Sequence, residues 1–170
     1  GATENLIMAA VRARGTTIID NAAREPEIVD LANMLNEMGA KITGAGTPVV
    51  TIEGVEELHP VEHRVIGDRI EAGTFVVAAA GVEVLGFSPV HLGMVFKKLE
   101  LMGLRYERLE SGVRAWRIDR PAPTDIQTLP FPGFPTDMQA QVMALAALAD
   151  GVSVITENIF ENRFMFASEL

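Results

Sequence analysis

At 170 residues and 48% hydrophobic, the chain is long enough for one domain or two small lobes with real cores, and too apolar to be disordered. A net charge of −9 argues against nucleic acid or an anionic membrane surface as partner. It leaves a small anionic ligand open, because local amides and a few arginines hold phosphate.

The absence of cysteine excludes disulfides, thiolate metal sites and cysteine nucleophiles. No basic start followed by an apolar stretch marks a signal peptide, and no run approaches the roughly 20 apolar residues of a membrane span. A soluble, cytoplasmic protein is expected.

The first predicted helix carries Leu6, Ala9, Ala10 and Ala13 and leads through Gly15 into the strand "TTIID". Pro26 then opens a second helix, in which Ile28, Leu31, Ala32, Leu35 and Met38 recur at helical spacing before the stop glycine Gly39. Glu25 and Glu27 flank that proline, where acids favour a helix start. The strands "AKITG" and "VVTIEG" follow, joined by "GAGT" at residues 44–47. That stretch lacks the Gly-Lys-Ser/Thr ending of a phosphate loop and reads as a strand-connecting turn. "EELHPVEHRVIG" comes next, a candidate boundary between lobes. His59 and His63 are four apart within it, but Pro60 intervenes and no third ligand is evident, so no metal site is expected.

The pattern then restarts. Asp68, Arg69 and Glu71 form a charged helix start, and Ala72, Phe75, Val76 and Ala79 lead through Gly81 into "VEVLG". Pro89 opens the next helix, in which Leu92, Val95, Phe96, Leu99 and Met102 repeat the earlier series 64 residues on, down to the stop glycine Gly103. Two strands follow again, "LRYERLE" and "VRAWRID", with Ser111-Gly112 placed for a tight hairpin turn. Trp116 alternates imperfectly with Val113 and Ile118, and a strand position explains it. Met34, Met38, Met94 and Met102 read as core filler. A third copy starts at Val142, Leu145, Ala146 and Ala149, with Gly151 and "VSVIT" after it. "ENRFMFASEL" falls where that copy's second helix belongs.

The predicted class is therefore α/β (α+β), a repeated helix-strand-helix-strand-strand unit too long for a common solenoid, so the units are expected to pack around one another. The chain opens on a helix with no strand before it and closes inside an incomplete unit, so a segment of a longer protein is expected.

One motif carries chemistry. In "FPGFPTDMQAQ", Thr136 and Gln139 fit a capping box, with Thr136 as N-cap and Gln139 bonding back to it. Asp137 then stands at the first helical position, on a mount stiffened by Pro132, Gly133 and Pro135. Two readings stand. Asp137 complements the helix dipole, worth about 0.3–1 kcal/mol, or it is a rigidly held carboxylate that takes a proton from a bound hydroxyl.

"GATENLIMAAV", "NAAREPEIVDLANMLNEMGAKI", "HRVIGDRIEAGTFVVAAA", "FPTDMQAQ" and "ITENIFENRF" together resemble the UDP-N-acetylglucosamine enolpyruvyltransferases (1-carboxyvinyltransferases). The similarity runs from Gly1 to Leu170 and is interrupted mainly around residues 81–125. It implies two domains, each an inside-out α/β barrel of three repeated units. It also implies transfer of the enolpyruvyl group of phosphoenolpyruvate to the 3-hydroxyl of UDP-N-acetylglucosamine with release of phosphate. That reaction is the first committed step of bacterial peptidoglycan, and hence cell-wall, synthesis. No metal or organic cofactor is implied, and neither nucleic acid nor membrane as partner.

On this likeness, residues 1–66 end the catalytic-loop domain and residues 67–170 begin the other, with a hinge near Val65 to Asp68. Asp137 matches the motif aspartate that contacts the sugar 3-hydroxyl and is the proposed base. Ile159, after "ITEN", matches a position whose backbone contacts the nucleotide sugar, where valine is commoner. Gly1, Glu25, Glu27, Asp68, Arg69 and Arg163 match positions lining the interdomain cleft. The family's mobile loop and its phosphoenolpyruvate-binding groups match nothing here, so the isolated chain is expected to be inactive. Two alternatives remain. One is the related 3-phosphoshikimate enolpyruvyltransferase, which "ITENIFENRF" and "HRVIGDRIEAGTF" fit less well. The other is a non-catalytic paralogue that keeps the fold.

Overall fold

A computed structural model describes residues 1–78, 80–117 and 119–170. Ala79 and Ile118, placed by sequence in a helix and a strand, lie outside them. The chain divides into two compact units, Gly1–Ile66 and Gly67–Leu170.

The first unit runs α1 (Ala2–Ala10), β1 (Thr16–Asp20), α2 (Pro26–Glu37), β2 (Lys41–Thr43) and β3 (Val49–Glu53). Its sheet has the order β1-β3-β2 and is antiparallel throughout, with Ile19 opposite Val50 and both Thr17 and Ile42 opposite Ile52. Alternation puts Ile19, Ile42, Val50 and Ile52 on one face, where they join Ile7, Ala10, Ile28, Ala32 and Leu35 of the two helices in a single core. Gly44 to Thr47 is the turn between β2 and β3, closed by the Thr47 N–H on the Gly44 carbonyl at 2.9 Å.

The second unit repeats this order with α3 (Arg69–Ala78), β4 (Gly81–Leu85), a 3-10 turn at Pro89–Leu92, α4 (Gly93–Leu101), β5 (Arg105–Leu109) and β6 (Gly112–Trp116). Its sheet order, β4-β6-β5, places the last strand in the middle, as in the first unit. Beyond it lie β7 (Ile126–Gln127), a 3-10 turn at Thr136–Met138, α5 (Gln139–Ala146), β8 (Ile155–Thr156) and a 3-10 helix at Met165–Glu169. β7 and β8 pair in parallel. A core from Ala72 to Leu145, including Val76, Leu99, Met102, Phe134 and Met138, fills this unit. The α/β class is the one observed.

Both stop glycines do the same thing. After α2, the Gly39 N–H bonds the Asn36 carbonyl at 3.0 Å and the Ala40 N–H bonds Leu35 at 2.9 Å. After α4, Gly103 bonds Glu100 at 3.0 Å and Leu104 bonds Leu99 at 2.9 Å. This is the Schellman pattern, which needs a left-handed residue; φ is +101° at Gly39 and +96° at Gly103.

Several local expectations are corrected. α1 stops at Ala10 instead of reaching Ala13, and α5 stops at Ala146 before Ala149. Gly81 is no cap but the first residue of β4. Pro89 opens a 3-10 turn, and the α-helix proper starts at Gly93. With Leu109 opposite Gly112, the β5–β6 turn residues are Glu110 and Ser111, one position earlier than expected. "VSVIT" contributes only Ile155 and Thr156 to a strand, and "ENRFMFASEL" holds a 3-10 helix, not an α-helix. Among the described residues, no helix is long and apolar enough to cross a membrane.

Candidate functional site

The turn that bears Asp137 is built from proline and glycine. Gly133 donates to the Pro130 carbonyl at 2.8 Å and Leu129 to that of Phe134 at 3.0 Å, closing the loop on itself. A Cβ at Gly133 would stand 2.5 Å from that of Leu129 and 2.9 Å from the Pro130 oxygen, so the loop tolerates no side chain there. Phe134 and Met138 are buried on either side and anchor the loop in the core. Met138 packs on Gly73 of α3, where a Cβ would come within 2.9 Å of its sulfur. The Arg69 guanidinium, largely buried, lies 5.6 Å from the Phe131 ring centroid and braces the loop from the start of α3.

The expected capping box is absent. Asp137 sits in the middle of the 3-10 turn, ahead of α5, and neither helix start has a side-chain cap. The Thr136 hydroxyl donates to Glu157 Oε2 at 2.9 Å instead of capping α5. Gln139 is fully buried, and neither end of its amide has a hydrogen-bond partner among the described residues.

Asp137 accepts from Arg163 Nη2 at 2.7 Å through Oδ1; its side chain is 55% exposed and that of Arg163 35%. Such a pair is worth about 0.2–1 kcal/mol. The Arg163 guanidinium also lies 5.1 Å from the Phe160 ring centroid. Phe160 and Ile159 belong to a turn that Glu157 caps, since its Oε1 accepts from the Ile159 N–H at 2.7 Å and the Phe160 N–H at 3.1 Å. Burial alone would push the Glu157 carboxyl up, but the Ile159 amide, the Thr136 and Thr128 hydroxyls and the Phe160 amide together outweigh it. They hold Glu157 below its ordinary value. Asn158 fastens this turn to the end of β7, its backbone N–H on Thr128 Oγ1 at 2.9 Å and its side-chain amide on the Thr128 carbonyl at 3.1 Å. The Ile159 N–H is thus spent inside the protein.

The structure brings Asp137, Ile159 and Arg163 together in one exposed patch. An anchored carboxylate and a guanidinium on an exposed surface are groups that can hydrogen-bond a polar ligand, and a carboxylate can in general accept a proton.

Over residues 1–170 the sequence matches the EPSP synthase (3-phosphoshikimate 1-carboxyvinyltransferase) family. The chain belongs to this family. It is 59% identical to a protein of Nocardia farcinica and 53% identical to one of Mycobacterium tuberculosis, both named UDP-N-acetylglucosamine 1-carboxyvinyltransferase, over all of this chain. It is 56% identical, over 99% of its length, to UDP-N-acetylglucosamine 1-carboxyvinyltransferase 1 of Staphylococcus aureus. The chain spans about 41% of the length of such relatives. Among solved structures, the enolpyruvyl transferase NikO from Streptomyces tendae matches with a TM-score of 0.82 at 30% identity, covering 97% of this chain and 40% of that one.

The other predicted residues have the following local settings in this family member. Asp68 caps α3, its Oδ1 accepting from the Ile70 N–H at 2.8 Å and the Glu71 N–H at 3.1 Å. Arg69 is a brace, as described. Glu25 is the N-cap residue of α2 by position, yet its side chain makes no cap bond, and Oε2 is buried without a partner. Glu27 is exposed in the first turn of α2. The Gly1 amino group pairs with Glu4. His63 is clasped by two acids, Nε2 to Asp30 Oδ1 and Nδ1 to Glu37 Oε2, each at 3.1 Å. Among the described residues, no group of three or more His, Cys, Asp or Glu is arranged to hold a metal.

Sequence reasoning missed Glu157. Its signal was local, an acid two and three residues ahead of amides it can cap, but its second partner, Thr136, is 21 residues away.

Proposed function

We propose that this chain serves, in a protein of its relatives' full length, in transfer of the enolpyruvyl group of phosphoenolpyruvate to the 3-hydroxyl of UDP-N-acetylglucosamine, a cytoplasmic step of peptidoglycan synthesis. The observation that carries this reading is the exposed Asp137 carboxylate, mounted on a braced proline-glycine turn and paired with Arg163. The names of relatives more than 50% identical over the whole chain supply the substrate class.

Asp137 is the base. A sugar hydroxyl attacks only as its proton leaves, and Oδ2, which takes no donor among the described residues, faces that proton while Arg163 holds Oδ1. The hydroxyl oxygen then bonds to the enolpyruvyl carbon and the phosphate departs with the bonding pair. The Ile159 carbonyl and the Arg163 guanidinium fix the nucleotide sugar.

The test is turnover in the full-length protein. Asp137→Asn lowers kcat by about a hundredfold or more, the usual worth of a general base, while UDP-N-acetylglucosamine binds within a few-fold of wild type. Near-normal turnover in that variant refutes the assignment. The second reading, 3-phosphoshikimate as acceptor, draws on the description of the matching family. Titration with each acceptor separates the two.

A further inference from the structure

We propose that Glu157 is a positioning residue that sets the Asp137 carboxylate against the Ile159 backbone, so that one bound sugar nucleotide meets both; this rests on the function proposed above. A glutamate that merely capped its own turn would need a single oxygen, and Oε1 alone serves that purpose by accepting the Ile159 and Phe160 N–H groups. Oε2 does something more. It reaches across to the Thr136 hydroxyl at 2.9 Å, on the residue immediately before the proposed base.

One side chain thus ties the two segments whose spacing a ligand would read. The donors at its carboxylate, the Ile159 and Phe160 amides and the Thr136 and Thr128 hydroxyls, are all neutral, so no counter-ion is required to keep the group in place. Removing it leaves, among the described residues, the Asn158 bonds to Thr128 at the foot of the Pro-Gly turn and, at the Asp137 end, the Asp137–Arg163 ion pair, and half-exposed pairs hold geometry weakly. The Ile159–Phe160 turn would lose both its caps at the same time. The Pro-Gly turn, by contrast, would keep its own hydrogen bonds and its anchors Phe134 and Met138, so the expected defect is in aim, not in folding.

The experiment is steady-state kinetics in the full-length protein with phosphoenolpyruvate and UDP-N-acetylglucosamine, reading phosphate release. Glu157→Ala is expected to lower kcat about thirtyfold, in line with the cost of displacing a catalytic group by about an ångström, with KM altered no more than about threefold. Glu157→Gln, which keeps an oxygen for the amides and a polar end for Thr136, should recover to within about fivefold of wild type. In an Asp137→Asn background, Glu157→Ala should cost less than about threefold more, because aim is irrelevant once the base is gone.

A kcat for Glu157→Ala within twofold of wild type overturns the proposal. So does a loss that multiplies in full in the Asp137→Asn background, or a glutamine variant no better than alanine. If Glu157→Ala does not fold, Thr136→Val carries the same test, with an expected loss of about tenfold that disappears in the Asp137→Asn background. Absence of turnover in the wild-type protein overturns the functional reading itself, and the two failures are distinguished by that control.

Discussion

His63 shows how much one side chain can carry. Its ring nitrogens face Glu37 and Asp30, and hydrogen bonds to Glu37 first and Asp30 second raise its affinity for a proton against the opposing effect of burial. Asp30 also accepts the Ile66 N–H at 3.5 Å, so the clasp draws the segment around His63 onto α2. A group bound more tightly to its proton in the folded state stabilises that state below its unfolded value, here near 6.5, and ceases to do so as pH rises through the folded value. His63→Gln should therefore lower the melting temperature most in mildly acidic buffer, with the gap to wild type closing as the buffer becomes alkaline. A gap independent of pH would refute the charged clasp. Nothing in "HPVEHR" announces this role; Asp30 and Glu37 lie 33 and 26 residues earlier, and a contact of that range has no local signature.

The elements were legible where their causes are local. α2 and α4 could be read to their last turn, because helical spacing of Ile28 to Met38 and Leu92 to Met102, and a glycine one residue later, are both short-range signals. Gly103→Ala tests the glycine. A Cβ there meets nothing within 4 Å, so the cost is purely that of a left-handed alanine, about 1–2 kcal/mol in chemical denaturation. A neutral substitution would show that α4 ends without the motif. The N-terminus of α5 was misread for the complementary reason. Thr136 and Gln139 have the spacing of a capping box, but Thr136 falls inside the 3-10 turn ahead of α5, which starts only at Gln139, and its hydroxyl is turned to Glu157 of a distant segment. β7 escaped because two paired residues are too few to show alternation, and β8 is the two-residue remainder of the strand expected in "VSVIT". The turn bearing Asp137 was visible as a stiff mount; the Arg163 and Glu157 contacts that give it a use were not.

At the scale of the molecule, the two cores have no residue in common, one running from Ile7 to Ile52 and the other from Ala72 to Leu145. Ile52→Ala should cost about 2–5 kcal/mol and reduce amide hydrogen-exchange protection in residues 1–66 while leaving that of Val76, Leu99 and Val142 intact. Uniform loss across the chain would show that the units unfold as one. The chain as a whole carries a charge of −9, which would repel the nucleotide diphosphate that the proposed function calls for. Yet the acid assigned to the chemistry is already partnered by Arg163. On the proposed function, an anionic guest meets a spot where Arg163 offsets one of two neighbouring acids, Asp137 and Glu157, and dissolved electrolyte acts there in two opposed ways. It quiets the long-range repulsion and loosens the short-range pairing, which makes ionic strength a dial on docking and on base freedom together.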